Sequence, residues 1–154
     1  MFFASDNVTE ANPEVLQAVV EANSGNAMPY GDDPISAKVR AKFEEIFERP
    51  CQVHFGVTGS AVNSLALASL VRPYQAIVST NLAHVNTDEC GAPEMFTGGA
   101  KIIDVPTSDG RLSPQGLKDG IDIAIPGFVH RVEPGAVSIT QSTETGSVYS
   151  TDQV

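Results

Sequence analysis

Apolar residues fall at helical spacing twice in the first third of the chain. Val15, Leu16, Val19 and Val20 make one stripe, introduced by Asn12-Pro13-Glu14, where Asn caps, Pro takes the first helical position and an acid follows. Asp33-Pro34 repeats the start signal, and Ile35, Val39, Phe43, Ile46 and Phe47 give an i, i+4, i+8, i+11, i+12 stripe that predicts a helix with one buried face. Lys38, Arg40, Lys42, Glu44 and Glu45 lie mostly off that stripe and read as solvated surface. The pattern then changes. Gln52 onward (QVHFGV) predicts a buried strand, Thr58-Gly59-Ser60 a tight turn, and the run to Val71 a nearly all-apolar helix that Pro73 ends.

The later chain alternates in the same way. Ala76 to Ser79 and Lys101 to Val105 predict buried strands, with Gly98-Gly99 turning into the second. Between them lie a loop from Asn81 to Asn86 and a helical piece from Thr87 to Phe96, interrupted by Gly91 and Pro93. Asp109-Gly110 predicts a turn and Leu112-Ser113-Pro114 a helix start, but Gly116, Gly120, Pro126, Gly127 and Pro134 interrupt every period that follows. Ala136 to Gln141 predicts a fourth strand. Ser147 to Val154 reads as a strand leading into a helix start capped by Thr151-Asp152. Short β-rich runs alternating with helices imply an α/β fold, a mostly parallel sheet with flanking helices. The chain stops where a further βα unit would begin, so the expectation is an unfinished domain.

Composition narrows the partners. A chain of 154 residues with 42% hydrophobic and 18% charged residues fits one globular domain. Its net charge of -10 argues against nucleic acid and anionic membranes as partners. The Met1-Phe2-Phe3 start lacks a basic region and a long apolar run, and the stretch from Leu65 to Val71 is too short to span a bilayer, so a cytoplasmic protein is expected. Cys51 and Cys90 have no ligand spacing and read as two buried thiols rather than a disulfide; no metal site is expected.

The chemistry concentrates at Thr58-Gly59-Ser60. A helix opening there leaves its first N–H groups unpaired beside two hydroxyls, and such a helix start attracts an anion, phosphate above all. The other reading is a Ser or Thr N-cap with no ligand.

Several motifs in sequence order resemble the N-terminal part of a low-specificity threonine aldolase, within the β-eliminating lyase branch of fold-type-I pyridoxal-phosphate enzymes. They are Ser5-Asp6-Asn7-Val8-Thr9 with Pro13-Glu14-Val15, Tyr30-Gly31-Asp32-Asp33, Thr58-Gly59-Ser60-Ala61-Val62-Asn63, and His84 with Glu89-Cys90-Gly91-Ala92-Pro93-Glu94. Val137-Ser138-Ile139-Thr140-Gln141 with Gly146-Ser147-Val148-Tyr149 fits as well. The resemblance implies residues 1–154 as the N-terminal part of an aminotransferase-like large domain. It implies pyridoxal 5'-phosphate as cofactor, with Thr58, Gly59 and Ser60 holding the phosphate and His84 stacked on the ring. It further implies Glu89 orienting catalytic groups, Ser5 helping to hold the substrate carboxylate, and Tyr30 and Asp32 at the site's mouth near a subunit boundary of a homo-oligomer. The small-molecule substrate would be a β-hydroxy-α-amino acid, cleaved to glycine and an aldehyde. Glu144 stands where a histidine is often found in better-studied members. The lysines are Lys38, Lys42, Lys101 and Lys118, and none follows the family's lysine pattern, which implies a chain inactive alone. A module of another class is the alternative: one that binds a phosphorylated ligand, or pairs with a complementary subunit, without catalysis.

Overall fold

The computed structural model describes residues 8–154, which fall into two units divided after His54. Ser5 lies outside the described residues. The first unit holds helices α1 (Pro13–Ala22) and α2 (Pro34–Phe47). Both begin as the sequence predicts: Asn12 Oδ1 accepts the Glu14 N–H at 2.8 Å, and Asp33 Oδ1 accepts those of Ile35 and Ser36 at 2.9 and 2.8 Å. The Ser36 hydroxyl and these backbone N–H groups hold the Asp33 carboxyl below the usual carboxylate range. The predicted buried face of α2 is not buried. No residue of either helix is, and on α2 only Phe43 and Phe47 stack on each other, with ring centroids 6.1 Å apart. An apolar stripe is buried only where another element covers it, and within this unit none does.

The second unit carries the sheet. Strand β1 (Gln75–Thr80) is central and parallel to both β2 (Lys101–Val105) and β3 (Glu133–Val137), in the order β2-β1-β3. Helices α3 (Gly59–Leu70), α4 (His84–Thr87), α5 (Ala92–Thr97) and α6 (Pro114–Ile123) connect or flank the strands. A parallel strand covered on both faces needs continuous apolar sequence, and residues 76–80 of β1 are all buried. On one face Ile77 packs with Leu67 and Val71, next to Ala83, Val85 and Ala100. On the other, Ala76 and Val78 pack with Ile103, Val105, Leu112 and Ala124.

Helix α6 shows why its sequence was hard to read. Ser113 caps it by accepting the Gly116 N–H at 3.0 Å, and Pro114 fills the first position. A Cβ on Gly116 would lie 2.8 Å from Val105 Cγ1, and one on Gly120 2.6 Å from Val78 Cγ1. These glycines, one helical turn apart, are the contact face of the helix: they let it settle on the sheet where any side chain would hold it off.

Further expectations are corrected. Residues 52–56 form no strand; Gln52, His54 and Phe55 are exposed, and no described strand pairs with them. The last strand runs over Glu133–Val137 rather than Ala136 to Gln141, taking in Pro134 at the edge of the sheet, where a missing N–H is tolerated. Gly135 is bulged out of register, since Ala76 pairs with Pro134 and Ile77 with Ala136. Residues 147–150 are not a strand, and the final helix start is a 3-10 turn, Thr151–Gln153, capped by Ser150 reciprocally with Gln153 rather than by Thr151-Asp152. His84 opens α4 instead of lying in a loop. Finally, the two thiols are free but not buried: Cys51 is half-buried, and Cys90 is exposed on a turn with a left-handed φ of 58°.

Candidate active site

At the carboxyl end of the sheet, β1 and β3 lie side by side although β2 comes between them in sequence. The crossover from β1 runs to β2 on one side, and the crossover from β2 returns to β3 on the other; in open α/β sheets such a reversal opens a crevice at the carboxyl ends. A cleft of about 450 Å³ occupies it, lined by Gly59, Asn63, His84, Val85, residues 138–142 and Glu144. Its floor is fixed by main-chain continuity: the Ser138 N–H bonds Val78 O at 2.9 Å, and the Ser79 hydroxyl bonds Ser138 O at 3.1 Å.

Helix α3 points its N-terminus at this cleft. Thr58 Oγ1 accepts the Ala61 N–H at 3.2 Å, a regular cap. The N–H groups of Gly59 and Ser60 have no intrahelical partner, as at any helix start. Gly59 has an ordinary φ, and a Cβ there would meet no atom within 4 Å. Neither backbone conformation nor packing therefore requires a glycine at this lip. Its effect is to leave two backbone donors approachable at the positive end of the helix.

Across the cleft, the ring of His84 is held from below. Nδ1 lies 2.8 Å from Glu89 Oε1, and Asn63 Nδ2 donates to the same oxygen at 2.6 Å. The Glu89 side chain has no exposed surface, whereas that of His84 is half exposed. A carboxylate only accepts, so Nδ1 carries the hydrogen and Nε2 is left free. Glu89 Oε2 is buried without a partner. Asn63, on the second turn of α3, thus joins the helix that offers the amides to the carboxylate that orients the imidazole. Sequence reasoning placed Asn63 inside a motif but gave it no role; its i+4 spacing from Gly59, which puts both on one face of α3, was the available cue.

The structure brings Gly59 and His84 to one cleft, with Thr58 and Ser60 flanking the first and Glu89 beneath the second. Tyr30, with a left-handed φ of 64° and a 99% exposed side chain, and Asp32 belong to the first unit. Lys101 and Lys118 do not line the cleft. Among the described residues no cluster of His, Cys, Asp and Glu could hold a metal, and no helix is long and apolar enough to cross a membrane.

The arrangement defines a class: a parallel α/β unit whose switch-point cleft offers backbone donors for an anion on one side and an oriented imidazole on the other. The chain belongs to the beta-eliminating lyase family, which matches it over residues 3–154. It is 42% identical over 153 residues to a low specificity L-threonine aldolase of Pseudomonas aeruginosa, and 41% identical to one from a Pseudomonas species. Each alignment takes in 99% of this chain but only 43% of the relative, so the chain spans less than half the length of these proteins. A solved threonine aldolase of Leishmania major superposes with a TM-score of 0.87 at 30% identity, over 95% of this chain and 42% of that one.

Proposed function

We propose that the cleft binds pyridoxal 5'-phosphate and that residues 1–154 act as the N-terminal part of a cofactor-binding domain in a homo-oligomeric aldolase. The reaction would cleave a β-hydroxy-α-amino acid, threonine or a close analogue, to glycine and an aldehyde. The observation that carries this reading is the approachable helix start at Gly59 in the same cleft as an imidazole gripped by a buried carboxylate. Together they suit a phosphorylated aromatic ring, and the volume falls in the range of about 300–1,000 Å³ usual for small-molecule sites. The relatives' names point the same way.

In this reading the Gly59 and Ser60 amides bind the phosphate, with the Thr58 and Ser60 hydroxyls beside them. His84 would lie against the ring and hold its plane, because the Glu89 bond denies the imidazole free rotation. Glu89 is a positioning residue that acts through His84. When bound, the cofactor supplies an electron sink for the pair released as the Cα–Cβ bond breaks. The β-hydroxyl proton must leave at the same time to a general base. Ser5 would help hold the substrate carboxylate, and Tyr30 and Asp32 would line the mouth near a subunit boundary.

The test is titration of the chain with pyridoxal phosphate, followed by borohydride reduction and peptide mapping. Saturable binding without a stoichiometric adduct on any one lysine is expected, which would make this chain inactive alone. A full adduct at one of Lys38, Lys42, Lys101 or Lys118 would refute the assignment of the site, and so would the absence of saturable binding.

A further inference from the structure

His84 is gripped a second time, through its backbone. Glu144 Oε1 accepts the His84 main-chain N–H at 2.7 Å and the Thr140 hydroxyl at 3.1 Å. His84 is the first residue of α4, whose N-cap residue Ala83 makes no side-chain bond. A helix of four residues has little stability of its own, so its first turn is held from outside, by a carboxylate sixty positions away in sequence. The loop that presents Glu144 is itself pinned. The hydroxyls of Thr143 and Thr145 both donate to Asp109 O, at 3.1 and 2.6 Å. The Gln141 side chain exchanges two bonds with the Tyr149 backbone, both 2.9 Å. Gly110, with φ +76°, accepts Thr143 so closely that a Cβ there would lie 2.7 Å from the threonine Cβ.

We propose that Glu144 is a positioning residue for His84, transmitting the rigidity of the Asp109-anchored loop to the imidazole that faces the cleft. The role needs an acceptor oxygen at the right reach and not a negative charge. Glu144→Gln keeps a carbonyl oxygen in place, Glu144→Ala removes it, and Glu144→Asp withdraws it by one methylene while keeping the charge.

The experiment is NMR on the isotopically labelled full chain, reading hydrogen exchange of the His84 backbone amide and the His84 Nδ1–H resonance. Protected amides of Ile77 and Val78 in the central strand report that each variant is folded. In Glu144→Ala and Glu144→Asp the His84 amide is expected to exchange about tenfold faster, the loss of one charge-assisted bond, and the Nδ1–H resonance to broaden. Glu144→Gln should fall between, about threefold faster than wild type, because a neutral acceptor holds the amide about half as strongly as a charged one. A further arm rests on the cofactor reading: pyridoxal phosphate affinity falls about tenfold in Glu144→Asp, by the same bond lost, while that for inorganic phosphate is unchanged. An Nδ1–H resonance unmoved in the Asp variant, or a Gln variant that behaves like Ala, overturns the proposal. Amide and ring responses as stated, in a chain that binds no pyridoxal phosphate at all, would remove the cofactor reading and leave the positioning role standing.

Discussion

Alanine at Gly120 places a methyl carbon 2.6 Å from Val78 Cγ1 and 3.1 Å from Val105 Cγ2. Carbon–carbon contacts are favourable near about 3.5–4.0 Å, so something must shift. Val78 is fully buried in the central strand and Val105 nearly so, which leaves little room to yield. Overpacking of this kind costs about 1–3 kcal/mol, against about 0.5–1 kcal/mol gained by replacing a helical glycine with alanine. The expected net loss is about 1 kcal/mol, within bounds of about 0 and 2.5 kcal/mol. The same substitution at Gly59 meets no atom within 4 Å; there the helix gains between zero and about 0.5 kcal/mol, the first position being less demanding than the interior. Urea unfolding followed by far-ultraviolet circular dichroism, at constant m, separates the two variants. Phosphate binding should invert the order: Gly59→Ala crowds the donors and weakens inorganic phosphate by about threefold, the loss of a helix-start attraction of about 0.3–1 kcal/mol, while Gly120→Ala leaves it unchanged. Gly120→Ala more stable than wild type, by the full gain of about 0.5–1 kcal/mol, would refute the close-packing account of α6. A loss above about 1 kcal/mol in Gly59→Ala would make that glycine structural.

Three further outcomes follow from particular contacts. Tyr149→Phe should cost about 1–3 kcal/mol in urea unfolding, because the buried hydroxyl accepts the Leu112 N–H at 2.6 Å and its loss leaves that donor unpaired; a change under about 0.5 kcal/mol would show the donor satisfied elsewhere. Asp109 titrates below its usual range, chiefly through its hydrogen bond to the Arg111 side chain. A depressed carboxylate adds stability that is present above its unfolded pKa of about 3.9 and is lost as pH falls through the folded value. Acid unfolding of Asp109→Asn should accordingly be shallower below about pH 4 than that of wild type, and identical acid limbs would contradict the shift. Glu89→Ala leaves the His84 Nδ1–H and the Asn63 amide without their shared acceptor, so the Nδ1–H resonance should vanish from the proton spectrum. Its persistence would mean another group orients the ring.

Periodicity was sufficient where burial and local chemistry agree. Both Asn-Pro and Asp-Pro helix starts, the Thr58 cap, the central strand and the strand at Lys101 are legible because a cap or a run of β-branched residues specifies them locally. Residues 52–56 carry strand composition but find no partner strand among the described residues, and a strand without a ladder is not formed. At Gly116 and Gly120 the sequence signal was inverted: positions that look like interruptions are the face in contact with the sheet. The site divides along the same line. Gly59 and His84 were visible through motif spacing, but the bond from Asn63 to Glu89 spans 26 positions and that from Glu144 to His84 spans 60. Such pairings follow from the order of strands in the sheet, which no local pattern encodes.

The most direct measurement is amide chemical-shift mapping of the labelled chain with inorganic phosphate and, separately, with pyridoxal phosphate. The Gly59 and Ser60 amides should respond to both ligands, and the His84 ring resonances to pyridoxal phosphate alone. Shifts centred instead on the Asp109–Arg111 turn, or a His84 ring indifferent to pyridoxal phosphate, would contradict the account.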